Sequence, residues 1–200
     1  MKPFSDNATP YPSWEYNDNI RVSIPFYESF HEETVDLVKT LKPEARVWLD
    51  TGCGTGYLVS RAFPHFPHTC FILADPSEGM LTQARHRLQQ VQILIPPDRI
   101  RFLDPAGTED LPRAVDPGED LPDTIIRQPE VISAIQCHHY LKPEQRRTAT
   151  QVCFNLLAQG GVYITFENIR PDSDQGVNLS LARWKRFQAH RPSRSCRRNR

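Results

Sequence analysis

Short apolar runs and amphipathic segments alternate along most of the chain. Apolar residues recur at steps of three and four from Phe26 to Leu41, which predicts a helix that begins near Pro25. The same period predicts helices over 57–63, 80–91, 143–158 and 179–190, and apolar runs predict strands over 46–50, 69–75, 99–104, 130–136 and 162–168. Alternating strands and helices predict an α/β fold with a doubly wound, mostly parallel sheet.

The carboxyl ends of the predicted strands indicate where a ligand binds. Right-handed crossovers put these ends along one edge of a parallel sheet. The loops that follow Asp50, Asp75, Asp104 and Gln136 are therefore expected to meet at that edge. We expect the binding site there.

Composition divides the chain into three parts. Residues 1–24 form an N-terminal arm, polar and proline-containing, which we expect to be irregular over 1–19. Residues 25–170 carry the alternating pattern of a single domain, and 171–200 hold a helix and an Arg-rich basic tail. A run of acids and prolines over 104–128 predicts a long loop.

The overall composition bounds the class of protein. No apolar run approaches the roughly 18 residues of a membrane span, and the N-terminus has no apolar signal core, so we expect a cytoplasmic protein with no membrane partner. The five cysteines show no C-x-x-C spacing, which predicts neither a disulfide framework nor a metal site. The 24 basic and 24 acidic residues balance, which disfavours a nucleic-acid partner because no broad basic face is expected.

The stretch VWLDTGCGTGYL, from Val47 to Leu58, places three alternate glycines between a predicted strand and a predicted helix. Such a loop lets the backbone approach a ligand closely. A triphosphate-binding loop needs Lys and then Ser or Thr after its last glycine, where Tyr57 and Leu58 stand here. A dinucleotide loop prefers its third glycine at position 57, and Asp50 would repel the pyrophosphate.

Two acids at strand ends favour a cationic ligand that carries a ribose. Asp50 lies beside the glycine loop, and Asp75 ends the next predicted strand. A carboxylate at the second position can accept hydrogen bonds from both ribose hydroxyls. An adenosyl group joined to a sulfonium and an ammonium satisfies both acids, so these residues predict S-adenosylmethionine as the cofactor.

Four motifs, in this order, resemble those of class I S-adenosylmethionine-dependent methyltransferases of the small-molecule type. They are VWLDTGCGTG, ILADPSEGMLTQAR, VISAIQCHHYL and LAQGGVYITFEN, and the resemblance covers about residues 20–170. It implies a Rossmann-like sheet with strand order 3-2-1-4-5 and methyl transfer to a small-molecule acceptor. The helix around IPFYESF is similar to the lid helix of some relatives, including wobble-uridine tRNA-modifying enzymes, so a tRNA methyltransferase is an alternative.

The resemblance also implies which residues bind the cofactor. The glycine loop lines the methionine part, Asp75 holds the ribose, and the turn after Asp75 lies near the adenine. The expected cofactor-binding residues are Asp50, Thr51, Gly52, Cys53, Gly54, Gly56, Asp75, Pro76, Ser77, Met80, Thr108, Gln136 and Tyr27.

Two positions depart from the family pattern. Gly107 stands where many relatives carry an aspartate near the adenine amino group. Adenine is therefore expected to be held by the backbone at Thr108 or by another side chain. Glu130 stands where the fourth-strand motif usually opens with aspartate.

His138 and His139 are the candidate catalytic residues, because they follow the fourth predicted strand at the reactive end of the cofactor. Methyl transfer needs positioning above all, and a base only when the acceptor must lose a proton, a task that suits a neutral imidazole. Adjacent side chains point apart, so at most one histidine faces the acceptor. The alternative is that a histidine packs or binds a backbone carbonyl.

Aromatic and polar residues of the arm and first helix are candidates for a lid over the site. Tyr16, Arg21, Tyr27 and His31 either contact the cofactor or acceptor, or serve in packing. Glu167 ends the fifth predicted strand and is expected to border the acceptor pocket.

No further strand-like run follows Glu167, whereas the family sheet ends in an antiparallel hairpin beside the fifth strand. The pattern therefore predicts a shortened domain without this hairpin. Its fifth strand would form an exposed edge through which a second copy pairs as a homodimer. A truncated, catalytically impaired binding protein is the alternative to an active enzyme.

Overall fold

Five parallel strands form the central sheet, in the order β3-β2-β1-β4-β5. The computed structural model describes residues 6–92, 99–111 and 128–189. The strands are β1 (Val47–Thr51), β2 (Cys70–Ala74), β3 (Ile100–Phe102), β4 (Val131–Ile135) and β5 (Val162–Phe166). The predicted α/β class and the strand order 3-2-1-4-5 are confirmed.

Helices connect these strands on both faces of the sheet. They are α1 (Ser13–Ser23), α2 (Tyr27–Leu41), α3 (Tyr57–Ala62), α4 (Glu78–Gln92), α5 (Pro143–Leu156) and α6 (Asp174–Ala189). Short 3₁₀ turns follow at Phe63–His65, Thr108–Asp110 and His138–Tyr140. Most of the predicted 104–128 loop and the basic tail lie outside the described residues.

Alternation along the strands builds two cores. Trp48 and Phe71 point to one face of the sheet, where they pack with buried residues of α2, α3 and α4. Val47 and Ile72 point to the other face, where they pack with α5. Because both faces are covered, most residues of the strands are apolar and do not alternate regularly with polar residues.

Helix α1 corrects the expectation of an irregular arm over 1–19. Its buried positions are mostly polar, so it lacks the apolar stripe that predicts a helix. Polar contacts hold it instead: the Asn17 side-chain oxygen accepts hydrogen bonds from Thr55 Oγ1 at 2.7 Å and from Arg87 at 2.7 Å. These contacts tie the arm to the glycine loop and to α4.

Helix α6 forms as predicted, but it leaves its apolar side chains exposed. Leu179, Leu181 and Trp184 are 59%, 48% and 41% exposed. The Trp184 indole donates a hydrogen bond of 2.6 Å to the carbonyl of Ser23, at the end of α1. Within the described residues, β5 pairs only with β4, so its outer edge is open there.

Within the described ranges, no helix has both the length and the apolar content needed to cross a membrane.

Candidate functional site

A cavity of about 390 Å³ opens at the carboxyl edge of the sheet. The segments that follow β1, β2, β3 and β4 line it, and residues 7–9 with parts of α1 and α2 close over it. This is the edge at which the sequence predicted a ligand.

The glycine loop after β1 forms one wall. Gly52, Gly54 and Gly56 all have left-handed backbones, with φ of +62°, +53° and +69°. A Cβ on Gly52 would lie 2.7 Å from Cys137 Sγ, whereas a Cβ on Gly54 would meet nothing within 4 Å. Gly52 is therefore needed for close packing against the loop after β4. The space beside Gly54, where a side chain would stand, is open.

Asp75 stands at the end of β2 and is 7% exposed. One carboxylate oxygen accepts the backbone N–H of Gly54 at 2.9 Å, and the other accepts that of Ser77 at 2.9 Å. Burial raises the pKa of Asp75, and these two hydrogen bonds oppose that rise. The carboxylate is held rigidly at the cavity wall, and each oxygen keeps a lone pair for a ligand donor.

Asp50 lies within β1 but does not line the cavity. Its carboxylate accepts a hydrogen bond of 2.6 Å from Ser133 Oγ, which itself accepts one of 2.9 Å from the Trp48 indole. Burial, opposed by the Ser133 hydrogen bond, raises the pKa of Asp50 to about 7. Asp50 was expected to border the methionine part of the cofactor, but its carboxylate is hydrogen-bonded to Ser133 inside the sheet.

His138 does line the cavity, yet both of its ring nitrogens have partners. Nε2 lies 3.2 Å from Thr108 Oγ1, and Nδ1 lies 3.1 Å from the hydroxyl oxygen of Tyr163. Thr108 Oγ1 also lies 2.6 Å from Thr51 Oγ1. Burial is the main cause that lowers the pKa of His138, so the ring is neutral at pH 7. Through these hydrogen bonds His138, which follows β4, connects the ends of β1 and β3 to Tyr163 of β5.

His139 points elsewhere. Its Nδ1 lies 2.7 Å from Glu167 Oε2, and the backbone N–H groups of His138 and His139 donate to the two oxygens of the same carboxylate at 3.0 Å. Burial opposes ionisation of Glu167, but these hydrogen bonds and one from Thr165 hold its pKa below the ordinary value. Glu167 therefore organises the turn after β4 and, like His139, does not line the cavity.

Aromatic side chains of α1, α2 and α3 also line the cavity. Tyr16, Tyr27, His31 and Tyr57 all line it. His31 Nδ1 lies 2.8 Å from the carbonyl of Tyr27, so Nδ1 carries the proton. Burial lowers the pKa of His31 to about 4 and raises that of Tyr27 to about 12. His31 and Tyr27 are therefore uncharged at neutral pH.

Gln136, directly after β4, has an unusual backbone for a residue with a side chain. Its φ is +57°, a left-handed conformation that costs about 1 to 3 kcal/mol and clusters at functional sites. Its N–H donates to the carbonyl of Phe166 at 2.7 Å, which fixes this conformation. Gln136 lies on the cavity wall in this conformation.

The cavity brings together most of the predicted cofactor-binding residues, namely Tyr27, Gly52, Cys53, Gly54, Asp75, Pro76, Ser77, Met80, Thr108 and Gln136. Asp50, Thr51 and Gly56 are not among the lining residues. Thr51 supports Thr108 through its hydroxyl group, and a Cβ on Gly56 would lie 3.1 Å from that of Ala84, so Gly56 serves packing against α4.

Glu109 and Gln145 are among the cavity residues that the sequence did not predict. Gln145 Nε2 donates to Glu109 Oε1 at 3.2 Å. These two residues are 36 positions apart, and the sequence carries no signal that pairs them.

The described lining residues carry a negative charge bias. They include the carboxylates of Asp75, Glu109 and Asp110, and no lysine or arginine. Within the same part of the chain, no three His, Cys, Asp or Glu side chains converge as metal ligands would.

Comparison with known proteins supports this geometry. Residues 49–163, more than half of the chain, match a family model described as a methyltransferase domain. No curated protein sequence matches this chain.

Several solved structures share the fold at low sequence identity. DesVI of Streptomyces venezuelae is 22% identical over 82% of this chain and 60% of its own, with a TM-score of 0.56. CalS10 of Micromonospora echinaspora, an amino pentose methyltransferase with S-adenosylmethionine bound, is 23% identical over 78% and 57%, with a TM-score of 0.54. The N-methyltransferase NodS of Bradyrhizobium japonicum WM9, in complex with S-adenosyl-L-homocysteine, is 18% identical over 76% and 64%, with a TM-score of 0.54. This chain thus spans less than two thirds of the length of these three proteins.

Proposed function

We propose, for a chain that belongs to the methyltransferase domain family, that its cavity binds S-adenosylmethionine and that it transfers the methyl group to a small-molecule acceptor. The observation that carries this proposal is the buried carboxylate of Asp75 at the end of β2. Gly54 and Ser77 hold it at the cavity wall, and its two oxygens retain the capacity to accept both ribose hydroxyls.

The charge of the cavity supports this cofactor. Three carboxylates and no lysine or arginine occur among the described lining residues. Opposite charges attract strongly at partly buried sites, so a sulfonium and an ammonium are favoured there and a phosphate is disfavoured. The glycine loop therefore fits an adenosyl cation better than a triphosphate or a dinucleotide.

The strand order orients the ligand. Because β2 lies between β3 and β1 in the sheet, a ribose on Asp75 has the loop after β3 on one side and the glycine loop on the other. The backbone N–H of Ala106 donates to the carbonyl of Asp75 at 3.2 Å, so the loop after β3 directly adjoins this residue. The base then lies toward Gly107, and the methionine part toward Gly52 and Gln136.

S-adenosylmethionine, when bound, supplies a methyl group on an activated leaving group. The chain must then position the acceptor in line and exclude water. Residues 7–9 and the aromatic side chains of α1 and α2 supply the cover that excludes water. His138 faces the cavity as a neutral ring. To take a proton from the methyl acceptor, it must give up its hydrogen bond with Thr108 or Tyr163. We therefore assign His138 first to holding these strand ends in place, and we assign no proton transfer to His139.

The size and cover of the cavity support a small acceptor. About 390 Å³ is within the range of small-molecule sites, and the arm closes one side. CalS10 is named for an amino pentose acceptor, and it shares this fold. A polymer would require the arm to open and would meet three carboxylates near the cofactor.

Isothermal titration calorimetry with S-adenosylmethionine and S-adenosylhomocysteine tests the proposal. Wild-type protein should bind both. Asp75→Ala should weaken binding about 10- to 100-fold, because a buried hydrogen-bonded partner is worth about 1 to 3 kcal/mol. Asp75→Asn keeps the shape and should show an intermediate loss. Asp104→Ala removes an exposed acid at the end of β3 and is the matched control. No binding of either ligand at millimolar concentration would overturn the proposal.

A further inference from the structure

The described part of the arm, residues 6–24, shields the cavity walls from solvent. Asp75 is 7% exposed and Met80 of α4 is 3% exposed, although both line the cavity together with residues 7–9 of the arm. Side chains that water hardly reaches are closed to a ligand as large as a nucleoside. A ligand therefore reaches Asp75 only when part of the wall moves.

The arm is the part of the wall that moves most easily. Helix α2 contributes Val35 and Val38 to the apolar core, whereas most of the buried residues of α1 are polar. Segments with few buried apolar contacts detach at a lower free energy than the core does. What keeps the arm in place is therefore a small set of polar contacts.

Asp6 fastens the beginning of the arm to α4. Its carboxylate accepts the backbone N–H of Ser13 at 3.0 Å and the Ser13 hydroxyl at 2.6 Å. The pair lies against Gly79, in the first turn of α4, where a Cβ would collide with Asp6 Oδ2 and lie 2.7 Å from Ser13 Oγ. Because Gly79 has no side chain, the arm can lie close to the turn that follows Asp75.

Asn17 fastens α1 to the glycine loop. Its side-chain oxygen accepts hydrogen bonds from Thr55 Oγ1 and from Arg87, each at 2.7 Å. Nε of Arg87 also donates to the Thr55 carbonyl at 2.8 Å, so one guanidinium binds both the arm and the loop. Hydrogen bonds from a charged donor are stronger than those between neutral groups.

The other end of α1 is attached to a different part of the molecule. The Trp184 indole donates to the Ser23 carbonyl at 2.6 Å. Phe26 connects α1 to α2 with a φ of +61°, a conformation that is uncommon for a residue with a side chain. Positions between two elements absorb the change of backbone angles when one of them swings. Once detached at Asp6 and Asn17, the arm would turn about residues 24–26.

We propose that the arm is a gate for the cofactor, and that S-adenosylmethionine enters and S-adenosylhomocysteine leaves after the contacts of Asp6 and Asn17 have broken. This inference rests on the proposed function and deepens it by assigning the path of exchange. The two contacts hold the arm closed in both the free and the ligand-bound protein. Weakening either contact should therefore raise the association and dissociation rates by the same factor and leave the dissociation constant nearly unchanged.

Surface plasmon resonance on immobilised protein measures both rates for S-adenosylhomocysteine. Asn17→Ala should raise both rates about 5- to 30-fold, because it removes two hydrogen bonds, one of them from a charged group. Asn17→Asp keeps an accepting oxygen and adds a charge opposite Arg87, so both rates should fall below those of wild type. Asp18→Asn, an exposed change on the same helix, is the matched control and should keep the wild-type rates.

Gly79→Ala separates the gate from the stability of the domain. Its Cβ displaces Asp6, so both rates should rise. Alanine favours a helix more than glycine does, so α4 should not be weakened. The thermal transition of this variant should therefore lie at or above that of wild type while exchange is faster. Wild-type exchange rates in Gly79→Ala would overturn the proposal.

The remaining outcomes distinguish the gate from the proposed function. Failure of wild-type protein to bind S-adenosylhomocysteine would contradict the proposed function. Binding with wild-type rates in Asn17→Ala would overturn the gate alone. Faster dissociation with unchanged association would also overturn it, because the arm would then contribute ligand contacts and no barrier to entry. Thermal transitions check the folding of each variant, and Gly79→Ala supplies the test if Asn17→Ala does not fold.

Discussion

Substitution of Asp50 by Asn should change how the stability of the ligand-free protein depends on pH. Asp50 is 2% exposed, and its carboxylate accepts a hydrogen bond from Ser133 inside the sheet. Burial is the first cause that raises its pKa from 3.8 to about 7, and the charge of Asp75 adds to the rise. The folded state therefore retains a proton on Asp50 over a range in which the unfolded state has lost it.

The sign and size follow from this difference. Between pH 4 and pH 7 the folded state binds one more proton than the unfolded state, so the free energy of unfolding falls as pH rises, by about 1.4 kcal/mol for each pH unit. The Asp50 contribution is present at low pH and is lost as pH rises through the folded pKa of about 7. From pH 5 to pH 8, this group alone should lower the stability of wild-type protein by about 3 kcal/mol.

Urea unfolding at pH 5, 6, 7 and 8 measures the effect. Asn resembles the protonated acid and keeps an oxygen that accepts from Ser133, so Asp50→Asn should lack this fall. The variant should be more stable than wild type at pH 8, and the difference should shrink toward pH 5. Asp36→Asn removes an exposed carboxylate of α2 and is the control, whose profile should follow that of wild type. Parallel profiles for Asp50→Asn and wild type would refute the reasoning.

Two further predictions concern the glycine loop and the arm. Gly52→Ala should destabilise the protein by about 3 kcal/mol or more, because strain from a positive φ adds to a clash with Cys137. Gly54→Ala should cost only about 1 kcal/mol, because it adds backbone strain without a clash. Urea unfolding of both variants measures the difference, and equal losses would contradict this prediction. Asn17→Ala should destabilise the arm by about 1 to 2 kcal/mol, because the hydrogen bond from Arg87 is lost. Limited proteolysis should then cut faster within the first 24 residues, and an unchanged cleavage rate there would contradict the role of Asn17.

The sheet could be predicted from the sequence because burial on both faces leaves a direct signal. Each strand is a short, mostly apolar run bounded by polar or turn residues, and each of the predicted runs overlaps one observed strand. The glycine loop could equally be predicted, since its three positive φ angles favour glycine, which has no Cβ.

Helix α1 could not be predicted in this way. Ile20 is its one buried apolar residue, and its other buried residues are Ser13, Asn19 and Ser23. Hydrogen bonds across the chain, such as that from Arg87 to Asn17, stabilise it. Pattern analysis detects apolar periodicity and has no access to such long-range polar pairs.

The candidate site shows the same division. The position of Asp75 at the cavity wall could be predicted, because it directly follows a strand next to the glycine loop. The different surroundings of His138 and His139 were not, because they depend on Glu167 and Tyr163 from β5 and the residue after it. The contact of the Glu109 carboxylate with Gly107 could likewise not be predicted from the sequence.

A crystal structure of the protein with S-adenosylhomocysteine tests the central claim most directly. The account predicts the ligand in the cavity at the carboxyl edge of the sheet, with both ribose hydroxyls within hydrogen-bond distance of the Asp75 carboxylate. The base should lie toward Gly107, and the homocysteine part toward Gly52 and Gln136. A ligand bound elsewhere, or one in the cavity whose ribose makes no contact with Asp75, would contradict the account.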